Sequence, residues 1–296
     1  MARRRKSAPG GASPRRRCGT MAVHMRLLEQ SAGFRSRQAR LEMETVRRRS
    51  SKAAPRPLVT VDVVVNVVYQ TPAQNIKAAQ IKSQIAVLNR DYAAANPDRS
   101  KVPQVWTGLV TDVRLRFKLV RTTRTKTTKA SFSTDDSVKK ASTGGKAPYK
   151  PESHLNLWVC ELSDGVLGYA QFPGGPSATD GVVIDYRAFG SSGTAAAPFN
   201  LGRTATHEIG HYFNLRHIWG DTEDCSGTDF VADTPNAAGP NYGTPTFPSV
   251  TCNNGPNGDM FMNYMDYVDD AAMFLFTAQQ VVRMRTALDS ARPGLK

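Results

Sequence analysis

Three histidines place the tightest constraint on how this chain can fold. In THEIGHYFNLRHIWGD, residues 206–221, His207 and His211 are four residues apart and His217 follows six residues later. On a helix, positions i and i+4 share a face, so His207 and His211 aim their rings at one point. The helix must then end, and the chain must swing back for His217 to reach the same point. Asn214 stands where that turn is required, and asparagine is the residue after glycine that best tolerates a positive φ. Three imidazoles fill three positions of a tetrahedral zinc and leave one open, which is the pattern of a reactive rather than a structural site. Glu208 is adjacent to the first histidine, where it can take a proton from an attacking water. His24 and His154 carry no such spacing.

Around this segment the chain reads as one α/β domain behind a basic arm. Of the net charge of +14, residues 1–58 hold +13, with 16 Lys and Arg against Glu29, Glu42 and Glu44. Residues 59–296 are left at +1. No zinc-finger spacing, helix-turn-helix pattern or aromatic-interleaved basic face accompanies the arm, so nucleic acid is not the expected partner. No run approaches the roughly 18 apolar residues of a membrane-spanning helix. No apolar stretch follows the opening arginines as in a secretory signal, so export by an upstream signal, export by another route and retention in the cell all stay open. The four cysteines, Cys18, Cys160, Cys225 and Cys252, are too few for a disulfide scaffold.

Composition divides the chain further. Residues 1–20 are rich in Arg, Gly, Pro and Ser and are expected to be mobile on their own. Residues 21–49 carry enough Leu, Met and Phe for one or two short helices, and 50–57 read as a linker. The β-branched run from Leu58 predicts a buried strand, and 73–95 predict a helix started by Pro72. Residues 113–120, 155–159 and 182–186 read as strands, and GYAQFPGG (168–175) as an extended piece at a sheet edge. The polar stretch 121–150 reads as an exposed loop. Helices are expected near 202–213 and 277–291, with little regular structure from 220 to 258.

A second segment, NYMDYVDD (263–270), places Met265 48 residues beyond His217. Together with the histidine segment it resembles the extended zinc motif and Met-turn of the metzincin metalloproteases. Within them the chain resembles the pappalysin family and its cytophagalysin-like group. That likeness rests on RCGT (17–20), IKSQIAVLNRDY (81–92), GYAQFP (168–173), the histidine segment, VADTP (231–235) and the Met-turn. Asn214 departs from the glycine that metzincins usually have there.

The resemblance implies a metzincin-type α/β (α+β) catalytic domain over 58–296, made on a basic propeptide, 1–57. Its N-terminal subdomain (58–217) would hold a twisted mixed sheet and the active-site helix, and its irregular C-terminal subdomain (218–296) the Met-turn. It implies an extracellular, monomeric endopeptidase acting on proteins or peptides. His207, His211 and His217 would bind zinc, and Glu208 would be the general base. Met265 would form an apolar floor under the metal, and Tyr267 would hydrogen-bond the tetrahedral intermediate. Gly168, Tyr169 and Ala170 would pair with substrate as an added strand. Asp270 would lie at the floor of the S1′ pocket and favour Arg, then Lys, through a charge-assisted contact. Cys18 would occupy the open zinc position as a cysteine switch, with Arg47, Arg48, Arg49 and Arg56 as self-cleavage points. A Cys225–Cys252 disulfide would staple the irregular loop, where Asp221, Asp224, Asp229 and Asp233 invite calcium; the family's positions match Asp229 and Thr234. The alternative reading is a zinc-containing binding protein without proteolytic activity.

Overall fold

A computed structural model of the chain describes residues 14–49 and 57–296. The β-branched run forms β1 (Val59–Tyr69), the second strand of a five-stranded sheet completed by β2 (Leu115–Lys126), β3 (Leu155–Cys160), β4 (Gly168–Ala170) and β5 (Val182–Asp185). The order is β2-β1-β3-β5-β4. All neighbours are parallel except β4, which pairs antiparallel with β5 and carries the chain around Cys18 on its other edge.

Alternate side chains of a strand point to opposite faces, and here both faces are covered. On one side Val61, Val63, Leu157, Val159, Val182 and Ile184 join the main core. That core includes Ile81 and Leu88 of α3 (Ala78–Asp91) and Ala205 and Ile209 of α4 (Arg203–Tyr212). On the other side Trp158, Cys160, Tyr169 and Val183 form a second cluster. The basic arm closes that cluster with Val23 and Leu27 of α1 (Thr20–Gln30) and Phe34 of α2 (Ala32–Arg49). The C-terminal part is irregular until α5 (Ala278–Ser290), which begins at a capping box between Thr277 and Gln280.

Three expectations change. The helix expected from residue 73 begins at Ala78, because Pro72 opens a turn instead: the Asn75 amide donates to its carbonyl, and Gln74 accepts from the Gln70 and Thr71 amides. Residues 121–126, expected as loop, continue β2 beside β1 up to Tyr69 and Lys126. They are polar because β2 is an edge strand, where threonine and charged residues suit an exposed ladder. Residues 14–19, expected to be mobile, lie along β4, held by backbone hydrogen bonds described below. Residues 50–56, with most of the expected linker and Arg56, lie outside the described residues, as do 1–13.

Candidate active site and the arm across it

Helix α4 presents His207 and His211 on one face. Asn214 then takes φ +75° and turns the chain back, as its position in the sequence requires. The three Nε2 atoms converge, 3.1 Å from His211 to His207, 3.1 Å from His211 to His217 and 3.3 Å from His207 to His217. That matches the spacing of roughly 3.3 Å between ligands on a tetrahedral zinc at ~2.0–2.1 Å.

The opposite ring nitrogens explain why these atoms are free to bind. His207 Nδ1 faces the Tyr264 carbonyl at 2.7 Å, His211 Nδ1 the Leu215 carbonyl at 2.7 Å, and His217 Nδ1 the Asp221 carboxylate at 2.5 Å. Each acceptor holds a proton on Nδ1 and leaves the Nε2 lone pair toward the centre. Burial, reinforced by the neighbouring rings, pushes His207 and His211 well below the usual imidazole range, so both are neutral. Trp219 stacks on His217 at 4.4 Å and Tyr267 packs edge-on at 4.9 Å, fixing the ring from two sides.

The donor set suits a metal. The Cys18 sulfur and the three histidine nitrogens lie within 4.8 Å of one another. Burial and the nearby Glu208 push the Cys18 thiol up, so a cation at the centre is what would hold it as thiolate. The Met265 sulfur lies so close to Gly210, the residue before His211, that a Cβ there would meet it at 2.5 Å. Gly210 is what lets Met265 approach the helix so closely.

Glu208 is fully buried, and burial pushes its carboxyl up to about 7 even though Thr20, Cys18 and Arg16 pull it down. Its Oε2 accepts from the Thr20 hydroxyl at 2.7 Å and the Cys18 thiol at 3.4 Å. The arm reaches these groups by pairing with β4. The Leu167 amide donates to the Arg17 carbonyl at 2.9 Å, the Gly19 amide to the Gly168 carbonyl at 2.9 Å, and the Ala170 amide to the Thr20 hydroxyl at 2.8 Å. Cys18 pairs parallel with Gly168. Gly168 has no room for a side chain, since a Cβ would meet Glu208 Cγ and the Val183 carbonyl at 2.9 Å.

Asp270 joins the site from the far side of the cleft, at the start of α4. Its Oδ2 accepts from the Leu201 and Arg203 amides, and its Oδ1 accepts from Arg16 at 2.6 Å, with both side chains buried. Arg16 also donates to the Thr204 hydroxyl and the Val268 carbonyl and lies over the Phe199 ring at 4.9 Å. The site thus includes a pocket shaped and charged for a guanidinium. Neither Arg16 nor Thr20 was given a role in the sequence, although Thr20 ends the segment RCGT (17–20) and Arg16 immediately precedes it.

The acids of the irregular loop go different ways. Asp221 serves His217, Asp233 accepts from Thr277 and Gln279 at the start of α5, and Asp224 accepts from Ser226. Asp229 alone is buried, its carboxyl pushed up to about 7 by burial, with the Thr234 hydroxyl at 2.7 Å and the Val231 amide at 3.0 Å as donors. Cys225 and Cys252 form a disulfide, and Cys160 is a buried free thiol. No helix among the described residues is long and apolar enough to cross a membrane.

Known proteins agree with this geometry. The sequence profile of the peptidase M43 family, described as pregnancy-associated plasma protein-A, matches residues 142–289. An extracellular metalloprotease of Arthroderma benhamiae is 31% identical over 243 residues, covering 80% of each chain. One from Pyricularia oryzae is 31% identical over 287 residues, covering 94% of this chain and 90% of its own. Mature mirolysin of Tannerella forsythia, solved with a cleaved peptide, superposes with a TM-score of 0.80 at 47% identity, covering 81% of this chain and 96% of its own. A promirolysin variant superposes with a TM-score of 0.85 at 41% identity, over 95% and 96%. A zinc cofactor follows from this kinship, and the binding-protein alternative falls away. The chain belongs to the peptidase M43, or pappalysin, family and is a metalloendopeptidase.

Proposed function

We propose that the chain is the latent form of a zinc endopeptidase that cuts on the N-terminal side of arginine, with lysine tolerated less well. The arrangement that carries this reading is the arm's Arg16 on Asp270 while Cys18 lies over the three histidines. His207, His211 and His217 hold zinc, and Cys18 fills the fourth position until the arm leaves. Zinc held there supplies a Lewis acid toward water and the scissile carbonyl. Glu208 takes the proton of the attacking water and passes it to the leaving amine, and its raised pKa suits both transfers near neutral pH. Tyr267, against His217 and facing Cys18 and Glu208, is placed to donate to the oxyanion. Gly168, Tyr169 and Ala170 pair with substrate along the edge that the arm occupies in the latent chain.

Residues 1–57 form the removable propeptide and 58–296 the catalytic domain, divided after His217. Arg47, Arg48 and Arg49 lie in the last turn of α2 and remain candidate cleavage points beside Arg56. A calcium ion at Asp229 and Thr234 would leave that buried carboxylate ionised. The enzyme works outside the cell as a monomer, without nucleic-acid partners; the relatives named extracellular metalloproteases support the location.

The test is to incubate the full chain and its Glu208→Ala form with a denatured protein and read every new terminus by mass spectrometry. Cuts before arginine and loss of the arm by the wild type alone support the reading. Cuts with no basic residue after the bond remove the Asp270 assignment. Equal inertness of the two forms with zinc bound removes the catalytic one.

A further inference from the structure

A second buried carboxylate faces the arm on the other side of Cys18. Arg26 of α1 donates from Nη2 to Asp136 Oδ2 at 2.5 Å and from Nη1 to the Thr134 carbonyl at 2.5 Å. Asp136 is buried and takes a left-handed backbone, φ +65°. Its inner oxygen, Oδ1, is 2.8 Å from the ammonium of Lys139. That lysine is itself buried, donates to the Thr179 carbonyl at 2.7 Å, and lies over the rings of Tyr169 and Trp158. Lys139 thus holds one oxygen of Asp136, and the other points outward beside the Thr134 carbonyl. Two acceptors side by side fit the planar fork of a guanidinium better than a point charge.

The loop that carries this pair is a wall of the cleft. A Cβ on Gly19, the residue after Cys18, would meet the Thr134 methyl at 2.5 Å and Tyr169 Cβ at 3.3 Å. Tyr169 belongs to β4, the strand proposed to pair with substrate, and its side chain lies on the face that holds Lys139. The six steps from Thr20 to Arg26 rise ~9 Å along a helix, a span that about three residues of extended peptide also cover. Arg16 and Arg26 therefore flank Cys18, each on a buried carboxylate.

We infer that Asp136, with the Thr134 carbonyl, is a second specificity subsite that binds an arginine two to four residues before the scissile bond. The inference rests on the endopeptidase reading and on Asp270 holding the residue after the cut, which puts Arg26's seat along the residues before it. When the arm leaves, Asp136 Oδ2 and the Thr134 carbonyl lose their partner, and a substrate arginine restores both contacts. The preferred substrate is a peptide with arginine on both sides of the cut, of which the run Arg47, Arg48 and Arg49 is an example within this chain.

The probe is a set of alanine-based peptides with arginine fixed after the scissile bond. Each of the four preceding positions carries in turn arginine or citrulline, which has the same shape without the charge. At one or more of the second to fourth positions before the cut, the wild-type enzyme freed of its arm should cleave the arginine peptide about ten-fold faster in kcat/KM, mostly through KM. Asp136→Asn should bring the pair within about two-fold. If that variant does not fold, Asp136→Asn with Lys139→Met removes the buried ammonium together with its partner and serves the same readout. Equal rates for arginine and citrulline at all of these positions, in an enzyme still cutting before arginine, overturn the subsite and leave the endopeptidase reading standing. A preference that survives the loss of Asp136 overturns its assignment. Failure to cut any peptide overturns the endopeptidase reading and this inference with it.

Discussion

The Thr20 hydroxyl donates to Glu208 Oε2 at 2.7 Å, and the same hydroxyl accepts from the Ala170 amide at 2.8 Å. One side chain of the arm thus satisfies both the proposed base and the substrate-pairing edge. Thr20→Val removes two buried hydrogen bonds, leaving the Ala170 amide without its Thr20 acceptor and Glu208 Oε2 with the Cys18 thiol alone, at a cost of about 2–3 kcal/mol to the latent state. We expect arm loss, followed by intact mass, to accelerate by roughly 30-fold or more, with Thr20→Ser close to wild type. A latent state unchanged in Thr20→Val would mean that Cys18 and Arg16 suffice.

Asp221 fixes the proton on His217 Nδ1. Asp221→Ala should weaken zinc affinity by about 10–100-fold, the usual consequence of removing such a partner. Competition with a chromophoric chelator at constant pH measures it, and an unchanged affinity would show that Trp219 stacking alone orients the ring.

Gly210 leaves room for the Met265 sulfur against α4. Gly210→Ala gains helix propensity but forces the methyl into that sulfur, and overpacking of this kind costs about 1–3 kcal/mol. Thermal unfolding should show a net loss, and the double variant with Met265→Ala should recover part of it.

Asp266, between Met265 and Tyr267, is fully buried, and burial pushes its carboxyl up to about 7 against the pull of the Tyr267 and Asn241 amides. A carboxyl raised in the folded state binds a proton there more readily than in the unfolded chain, so stability rises as pH falls through 7. Between pH 8 and 6 the wild type should gain about 1 kcal/mol relative to Asp266→Asn. Asp91 and Asp229, raised to about 6 and about 7, act in the same direction in both proteins, so the difference between the two curves belongs to Asp266. Parallel curves would place its pKa outside this window.

Calcium should raise the melting temperature of protein freed of calcium but not zinc, and Asp229→Asn should abolish the response. The response belongs to the bridged loop, where the Cys225–Cys252 disulfide already contributes on the order of 3–4 kcal/mol. A wild-type curve indifferent to calcium would remove the proposed site.

What the sequence made legible was mostly local. The four-residue spacing of His207 and His211, the turn at Asn214 and the β-branched alternation of β1 each depend on neighbours within a few positions. The family likeness extended that reading to Met265, Asp270 and the bridge. What stayed hidden was mostly long-range. Arg16 meets Asp270 across 254 residues, and Thr20 meets Glu208 across 188. Nothing around Lys139 or Asp136 distinguishes them from the exposed threonines and lysines beside them, because their burial is set by Trp158 and Tyr169 from other strands. Asp221 read as one loop acid among four, since only the folded loop brings it to His217.

Val23, Leu27 and Phe34 complete the second face of the sheet, so the arm is a layer of the molecule as well as a plug in its cleft. Shedding it exposes to water the side chains those three residues covered. If the arm is shed as proposed, the step that opens the cleft also strips a layer from the sheet.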